Sequence, residues 1–198
     1  EKALAAVVDE LQQMLDKRVF HGVHATNLTA ENRKKIIRSS IFLKEKFTSE
    51  GKFDKLKGRL VAGGHMQDKS MYEDNSSPTV ATQSTFMIAA IAAKERRTVV
   101  TADIGGAYLN ASMGDHEVYM KLDAQISTIL VELDEAYLKF VDERGEIVVQ
   151  LDKALYGCVQ SAKLWYLHLR SSLESFGFIV NPNDHCVFNC GSGDDQCT

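Results

Sequence analysis

Apolar positions recur at helical spacing over residues 1–18, where Leu4, Val7, Val8, Leu11, Met14 and Leu15 alternate with polar side chains. That spacing predicts an amphipathic helix. Residues 21–27 read as loop. Thr29-Ala30-Glu31-Asn32 has the form of a helix start, while Ile36, Ile37, Ile41, Phe42 and Phe47 serve strands equally well. Residues 41–47 and 57–62 are two apolar-and-charged runs around the turn signal Ser49-Glu50-Gly51-Lys52, which predicts a β-hairpin. Residues 79–94 carry Val80, Phe86, Met87, Ile88, Ala89, Ile91 and Ala92, and predict a well-buried helix. A short strand is expected over 117–120, a helix over 124–137, and a hairpin from 138–141 to 146–151 around Asp142-Glu143-Arg144-Gly145. A last helix, 161–176, is stopped by Gly177, and 178–180 and 186–188 read as strand, turn, strand.

Between two of these elements lies the stretch with the most chemistry in it, Val99-Val100-Thr101-Ala102-Asp103-Ile104-Gly105-Gly106-Ala107-Tyr108-Leu109-Asn110. Residues 99–104 are β-branched and nearly uncharged, and they predict a short buried strand closed by a glycine pair. A carboxylate at the end of a buried strand needs a cation, a donor or a raised pKa. A metal ion would meet that need at Asp103, and Gly105 and Gly106 would let a ligand approach the backbone. On this segment alone, an Asp that ends a strand and caps the next turn satisfies the pattern as well.

The 198 residues are 44% hydrophobic and 25% charged, which places the chain among ordinary globular proteins. No apolar run reaches the roughly 18 residues of a membrane span. The first residue is not Met and the chain stops at Cys197-Thr198, so a piece of a longer product is expected. The net charge of -4 conceals an asymmetry. Residues 31–59 hold ten Lys/Arg against four Asp/Glu, and residues 103–152 hold eleven Asp/Glu against three Lys/Arg. A basic lobe beside an acidic one suits phosphates in one place and metal ions in another, and also two plain solvated surfaces. On a strand, Lys57 and Arg59 share a face. Cys158, Cys186, Cys190 and Cys197 include no C-x-x-C pair, so reduced thiols are expected over a zinc site at His185, Cys186 and Cys190.

Several stretches, in order, resemble the reverse transcriptase of copia-type LTR retrotransposons. They are Lys57-Gly58-Arg59-Leu60-Val61-Ala62-Gly63-Gly64, Ser77-Pro78-Thr79-Val80, Thr101 through Asn110, and Glu117-Val118-Tyr119-Met120. Leu155-Tyr156-Gly157-Cys158-Val159-Gln160-Ser161-Ala162-Lys163-Leu164-Trp165-Tyr166 completes the set. The chain departs from the family's common residues at Gly63, Gly105, Gly106, Ala162 and Lys163.

The resemblance implies an α+β, right-hand polymerase fold, with fingers and partial palm and an antiparallel palm sheet packed on helices. Residues 1–40 would form an N-terminal helical or linker segment, and 41–198 the fingers and truncated palm. The implied activity is template-directed DNA synthesis with two Mg²⁺ ions (Mn²⁺ as a substitute). Asp103 would be the catalytic metal ligand, supplemented by the Ile104 carbonyl. Lys57, Arg59, Gly105, Gly106, Ala107, Tyr108, Tyr156, Gly157 and Gln160 would contact the dNTP, with Tyr108 as a steric gate against a 2′-hydroxyl. Implied partners are an RNA or DNA template-primer, dNTPs, and the remaining palm, thumb and RNase H regions of a Pol polyprotein, with no membrane. The implied location is intracellular, in a cytoplasmic retrotransposon particle or the nucleus. The family's Tyr-x-Asp-Asp hairpin is expected just after Thr198. Gly193-Asp194-Asp195 imitates part of it but lacks apolar flanks and reads as a surface turn. Because a divalent ion needs several oxygen ligands, the 198 residues alone are expected to be inert. The competing reading is a catalytically dead remnant that only binds nucleic acid or a protein.

Overall fold

A computed structural model describes residues 1–68, 75–191 and 196–198; Gly193-Asp194-Asp195 lies outside them. The organising layer is a five-stranded mixed sheet in the order β1-β5-β4-β2-β3. Its strands are β1 (Phe20–Val23), β2 (Ile37–Phe47), β3 (Phe53–Ala62), β4 (Tyr119–Leu122) and β5 (Ile147–Leu151). All neighbours are antiparallel except β2 and β4, whose parallel contact is Ile37↔Met120 and Arg38↔Lys121. The sheet is therefore mixed rather than the antiparallel one expected.

Helix α1 (Lys2–Asp16) follows its apolar stripe. Leu11 and Met14 are fully buried, in one core with Ile37, Leu60, Leu109, Met120, Leu122, Ile147 and Val149. Glu10, on the same helix, is also buried and accepts a hydrogen bond from the Leu60 N–H at 2.9 Å. Burial pushes its carboxyl above the usual range, while that backbone bond and the charges of Lys57 and Arg59 pull it back. Thr29 caps α2 (Ala30–Lys34) by accepting from the Asn32 N–H. Asp123 caps α4 (Ala124–Leu133) in the same way, through the N–H groups of Gln125 and Ile126. Helix α5 (Ser161–Ser175) ends where Gly177 takes φ +86 and Phe178 N–H closes on the Leu173 carbonyl. A two-stranded sheet of β6 (Ile179–Asn181) and β7 (Asp184–Asn189) follows.

Four expectations are corrected. Residues 20–23, read mostly as loop, form β1. Their pairing with β5 supplies the order that a four-residue segment lacks on its own. The helix expected over 124–137 stops at Leu133, and Glu135–Phe140 form a 3-10 helix where 138–141 were expected as a hairpin arm. β5 is claimed on both edges by β1 and β4, leaving a single Val141↔Ile147 bridge on that side. Helix α3 (Thr82–Glu95) is present but not well buried; Ala92 is its sole buried residue, and Phe86 is 71% exposed. Its apolar residues lie on all sides and one face alone meets the body of the protein. Finally, residues 99–104 form no strand. Val100 is 82% exposed, because no neighbouring strand lies alongside to pair with this β-branched run.

Candidate functional site

Without that strand, Asp103 and Ile104 stand exposed in a segment of no regular structure. The chain then turns at Gly105 and Gly106, the latter at φ +60, into a 3-10 turn over Ala107–Asn110. Glycine meets the left-handed conformation at residue 106 without steric cost. Asn110 clips this turn by donating to the Gly106 and Ala107 carbonyls, and its own oxygen accepts from Lys17 Nζ at 2.8 Å. The N–H groups of Gly105, Gly106 and Ala107 donate to no protein group among the described residues, and space beside Gly105 is open. Three consecutive free amide donors next to a glycine turn form a concavity suited to anionic oxygens.

Tyr108, on the same turn, packs partly into the core and meets Tyr156 with ring centroids 4.9 Å apart, tilted by 46°. The guanidinium carbon of Arg59 lies 4.5 Å from the Tyr156 ring centroid. Such a cation–π contact contributes about 0.5–1 kcal/mol at an exposed site and holds the guanidinium in place. Burial raises the Tyr156 pKa, opposed by Arg59 and aided by the charges of Glu10, Tyr108 and Asp103, so its hydroxyl stays protonated at neutral pH.

Tyr156 is fixed from behind. Its carbonyl accepts from the Ala62 N–H at 2.7 Å, which extends β3 onto the segment before α5. Gly157, at φ +92, lies so near the Ala62 carbonyl that a Cβ would collide with it, and a Cβ on Gly64 would run into the Gly157 carbonyl. Gln160 is 3% exposed. Its amide is enclosed within the protein, and Gln160 Nε2 is buried with no hydrogen-bond partner among the described residues.

Arg59 and Lys57 do share a face of β3. Register places Phe42 opposite Arg59, Lys44 opposite Lys57 and Lys46 opposite Lys55, all exposed. Among the described residues none of these four lysines forms an ion pair. Like charges directly opposed across strands destabilise by roughly 0.2–1 kcal/mol per pair, a penalty that a bound polyanion would relieve.

The structure thus gathers Arg59, Tyr108, Tyr156 and Gly157, with Asp103 exposed on the segment that leads into the Tyr108 turn, Lys57 farther along the hairpin and Gln160 buried behind. Sequence reasoning overlooked Glu10, Lys17, Asn110 and Gln67. Each acts through a hydrogen bond to a partner distant in sequence, a relation that local pattern does not carry. No group of three or more His, Cys, Asp or Glu side chains among the described residues is placed to hold a metal ion. Asp103 by itself does not fit a two-ion centre, which needs several carboxylate oxygens. His185, Cys186 and Cys190 likewise form no such group among the described residues, and burial pushes the Cys158 thiol up to about 11. No helix among the described residues is long and apolar enough to cross a membrane.

The family model for reverse transcriptase (RNA-dependent DNA polymerase) matches residues 26–198. The chain is 31% identical over 150 residues to the retrovirus-related Pol polyprotein from transposon RE2 of Arabidopsis thaliana, covering 75% of this chain and 9% of that protein. Identity to its counterpart from transposon RE1, also of Arabidopsis thaliana, is 30% with the same coverage. To the Pol polyprotein from transposon TNT 1-94 of Nicotiana tabacum it is 27% over 156 residues, or 78% of this chain and 11% of that protein. The chain therefore spans about a tenth of the length of these relatives. No solved structure matches it.

Proposed function

The chain belongs to the reverse transcriptase family of copia-type retrotransposon Pol polyproteins, and from that premise we propose that it supplies the fingers and part of the palm of a right-hand RNA-directed DNA polymerase. The observation that carries this reading is the stacking of Arg59 on Tyr156 and of Tyr156 on Tyr108, beside a turn whose amide donors are free among the described residues and which follows directly on the exposed Asp103. In this reading Arg59, held on the Tyr156 ring, meets the phosphates of an incoming dNTP, and Lys57 adds charge behind it. The N–H groups of residues 105–107 donate hydrogen bonds to the remaining phosphate oxygens. The paired Tyr108 and Tyr156 rings form the wall against which a deoxyribose fits and a 2′-hydroxyl clashes.

A bound divalent metal would supply Lewis-acid activation of the primer hydroxyl and charge neutralisation at the leaving group. Asp103 would contribute one carboxylate, with the rest of the set coming from elsewhere in the polyprotein, and the 198 residues alone would be inert. Template-primer and the other Pol regions are the partners, in an intracellular setting. The test is primer extension with Mg²⁺ by the polyprotein-derived polymerase and its Asp103→Asn variant. Full activity of the variant would remove Asp103 from the mechanism. A second reading rests on the lysine ladder of β2 and β3, which would serve a chain that binds nucleic acid without chemistry. That chain would show salt-sensitive binding and no incorporation with Asp103 intact.

A further inference from the structure

The loop after β3 and the turn before α5 touch through backbone at Gly64 and Gly157, and one side chain ties them together. Gln67 N–H donates to the Gly64 carbonyl at 3.0 Å, which fixes the base of that side chain. At its tip, Oε1 accepts from the Val159 N–H at 2.9 Å. A backbone N–H can only donate, so this bond decides which way the Gln67 amide points. Its Nε2 is thereby turned toward Gln160, where it donates to Oε1 at 3.3 Å. The orientation passes on once more, since Gln160 must then keep Nε2 on the far side, where it finds no partner. Buried donors are nearly always satisfied, so an orphan here marks an amide held in place by the groups around it. Ser161 Oγ closes the same turn by donating to the Leu155 carbonyl at 2.6 Å.

We propose that Gln67 is a positioning residue for the nucleotide site. Through Val159 and Gln160 it holds the turn that carries Tyr156, and hence the ring on which Arg59 and Tyr108 rest. This role depends on the nucleotide site proposed above. It also recasts Gln160, expected to contact the dNTP, as part of the support beneath it.

The experiment compares dNTP incorporation by the polyprotein-derived polymerase and its Gln67→Leu and Gln67→Glu variants. Gln67→Leu keeps the size and loses the bonds to Val159 and Gln160. It should raise the dNTP KM roughly tenfold while kcat at saturating dNTP and template-primer affinity stay within about twofold. Gln67→Glu keeps an acceptor for the Val159 N–H and offers a second oxygen to Gln160, so its KM should return to within about threefold of the unsubstituted enzyme. In ¹⁵N-glutamine-labelled polymerase, the Gln160 side-chain amide resonance should move downfield in Gln67→Glu as Nε2 gains an acceptor. That readout holds even if Gln67→Leu does not fold. An unmoved KM in folded Gln67→Leu, equal damage in Gln67→Glu, or an unshifted Gln160 resonance would each overturn the role of Gln67 while leaving Asp103-dependent incorporation intact. An unsubstituted polymerase that incorporates nothing would instead overturn the site itself and, with it, the task assigned to Gln67.

Discussion

The packed sheet and the Asp103 segment are built from similar residues and end in opposite states. Val148 and Val149 of β5 are buried between β1 and β4, whereas Val99 and Val100 stand in solvent. What separates them is a pairing partner on each side, since β-branched side chains favour an extended backbone but do not by themselves supply a ladder. The lesson for the site is a division of labour. The groups that would grip a nucleotide, Arg59 and Tyr156, are anchored to the packed sheet, and the carboxylate that would do chemistry is not.

The sharpest way to break this contrast is at Asp103. Asp103→Asn in the polyprotein-derived polymerase should slow single-turnover incorporation about a thousandfold or more. Its melting temperature should stay level, because the carboxylate is exposed and supports no packing. A large loss of stability would mean that the segment is integrated after all. Next in size is Leu122→Ala in β4, where a fully buried side chain is truncated; urea unfolding should report a loss of about 2–5 kcal/mol. Val100→Ala, by the same measurement, should fall within about 0.5 kcal/mol of the parent.

Glu10 gives a pH-dependent probe of the packed side. Its folded pKa lies above the ordinary 4.5, so the native state binds more protons than the unfolded one in the window between the two values. Its contribution to stability therefore falls as pH rises from 4.5 through the raised value. Glu10→Gln retains an acceptor for the Leu60 N–H and should flatten that fall, with stability at pH 7 equal to the parent's or higher by about 1 kcal/mol. A steeper loss toward neutral pH in the variant would contradict the dominance of burial over the attraction of Lys57 and Arg59.

Much of this fold is legible in the sequence alone. Helices α1, α3, α4 and α5, the β2/β3 hairpin and the shared face of Lys57 and Arg59 follow from periodicity, caps and turn residues, which are local. The errors fall where a distant partner decides. β1 is a strand because β5 lies beside it, residues 135–140 are displaced because β5 is already paired, and residues 99–104 stay open because nothing flanks them. At the site, Tyr108 and Tyr156, quoted from two separate motifs, do meet ring to ring. The burial of Gln160 and the supports given by Gln67, Asn110 and Lys17 depend on contacts across tens of residues that no spacing encodes.

The facing lysines of β2 and β3 give one hairpin two opposed responses to ionic strength. In the free protein, added salt damps their mutual repulsion and tightens the strand pair. In a complex with nucleic acid, the same ions compete for the phosphates and loosen the grip. An element of this kind is most strained when nothing is bound to it, so capture of a polyanion would also firm the strand from which Arg59 reaches Tyr156.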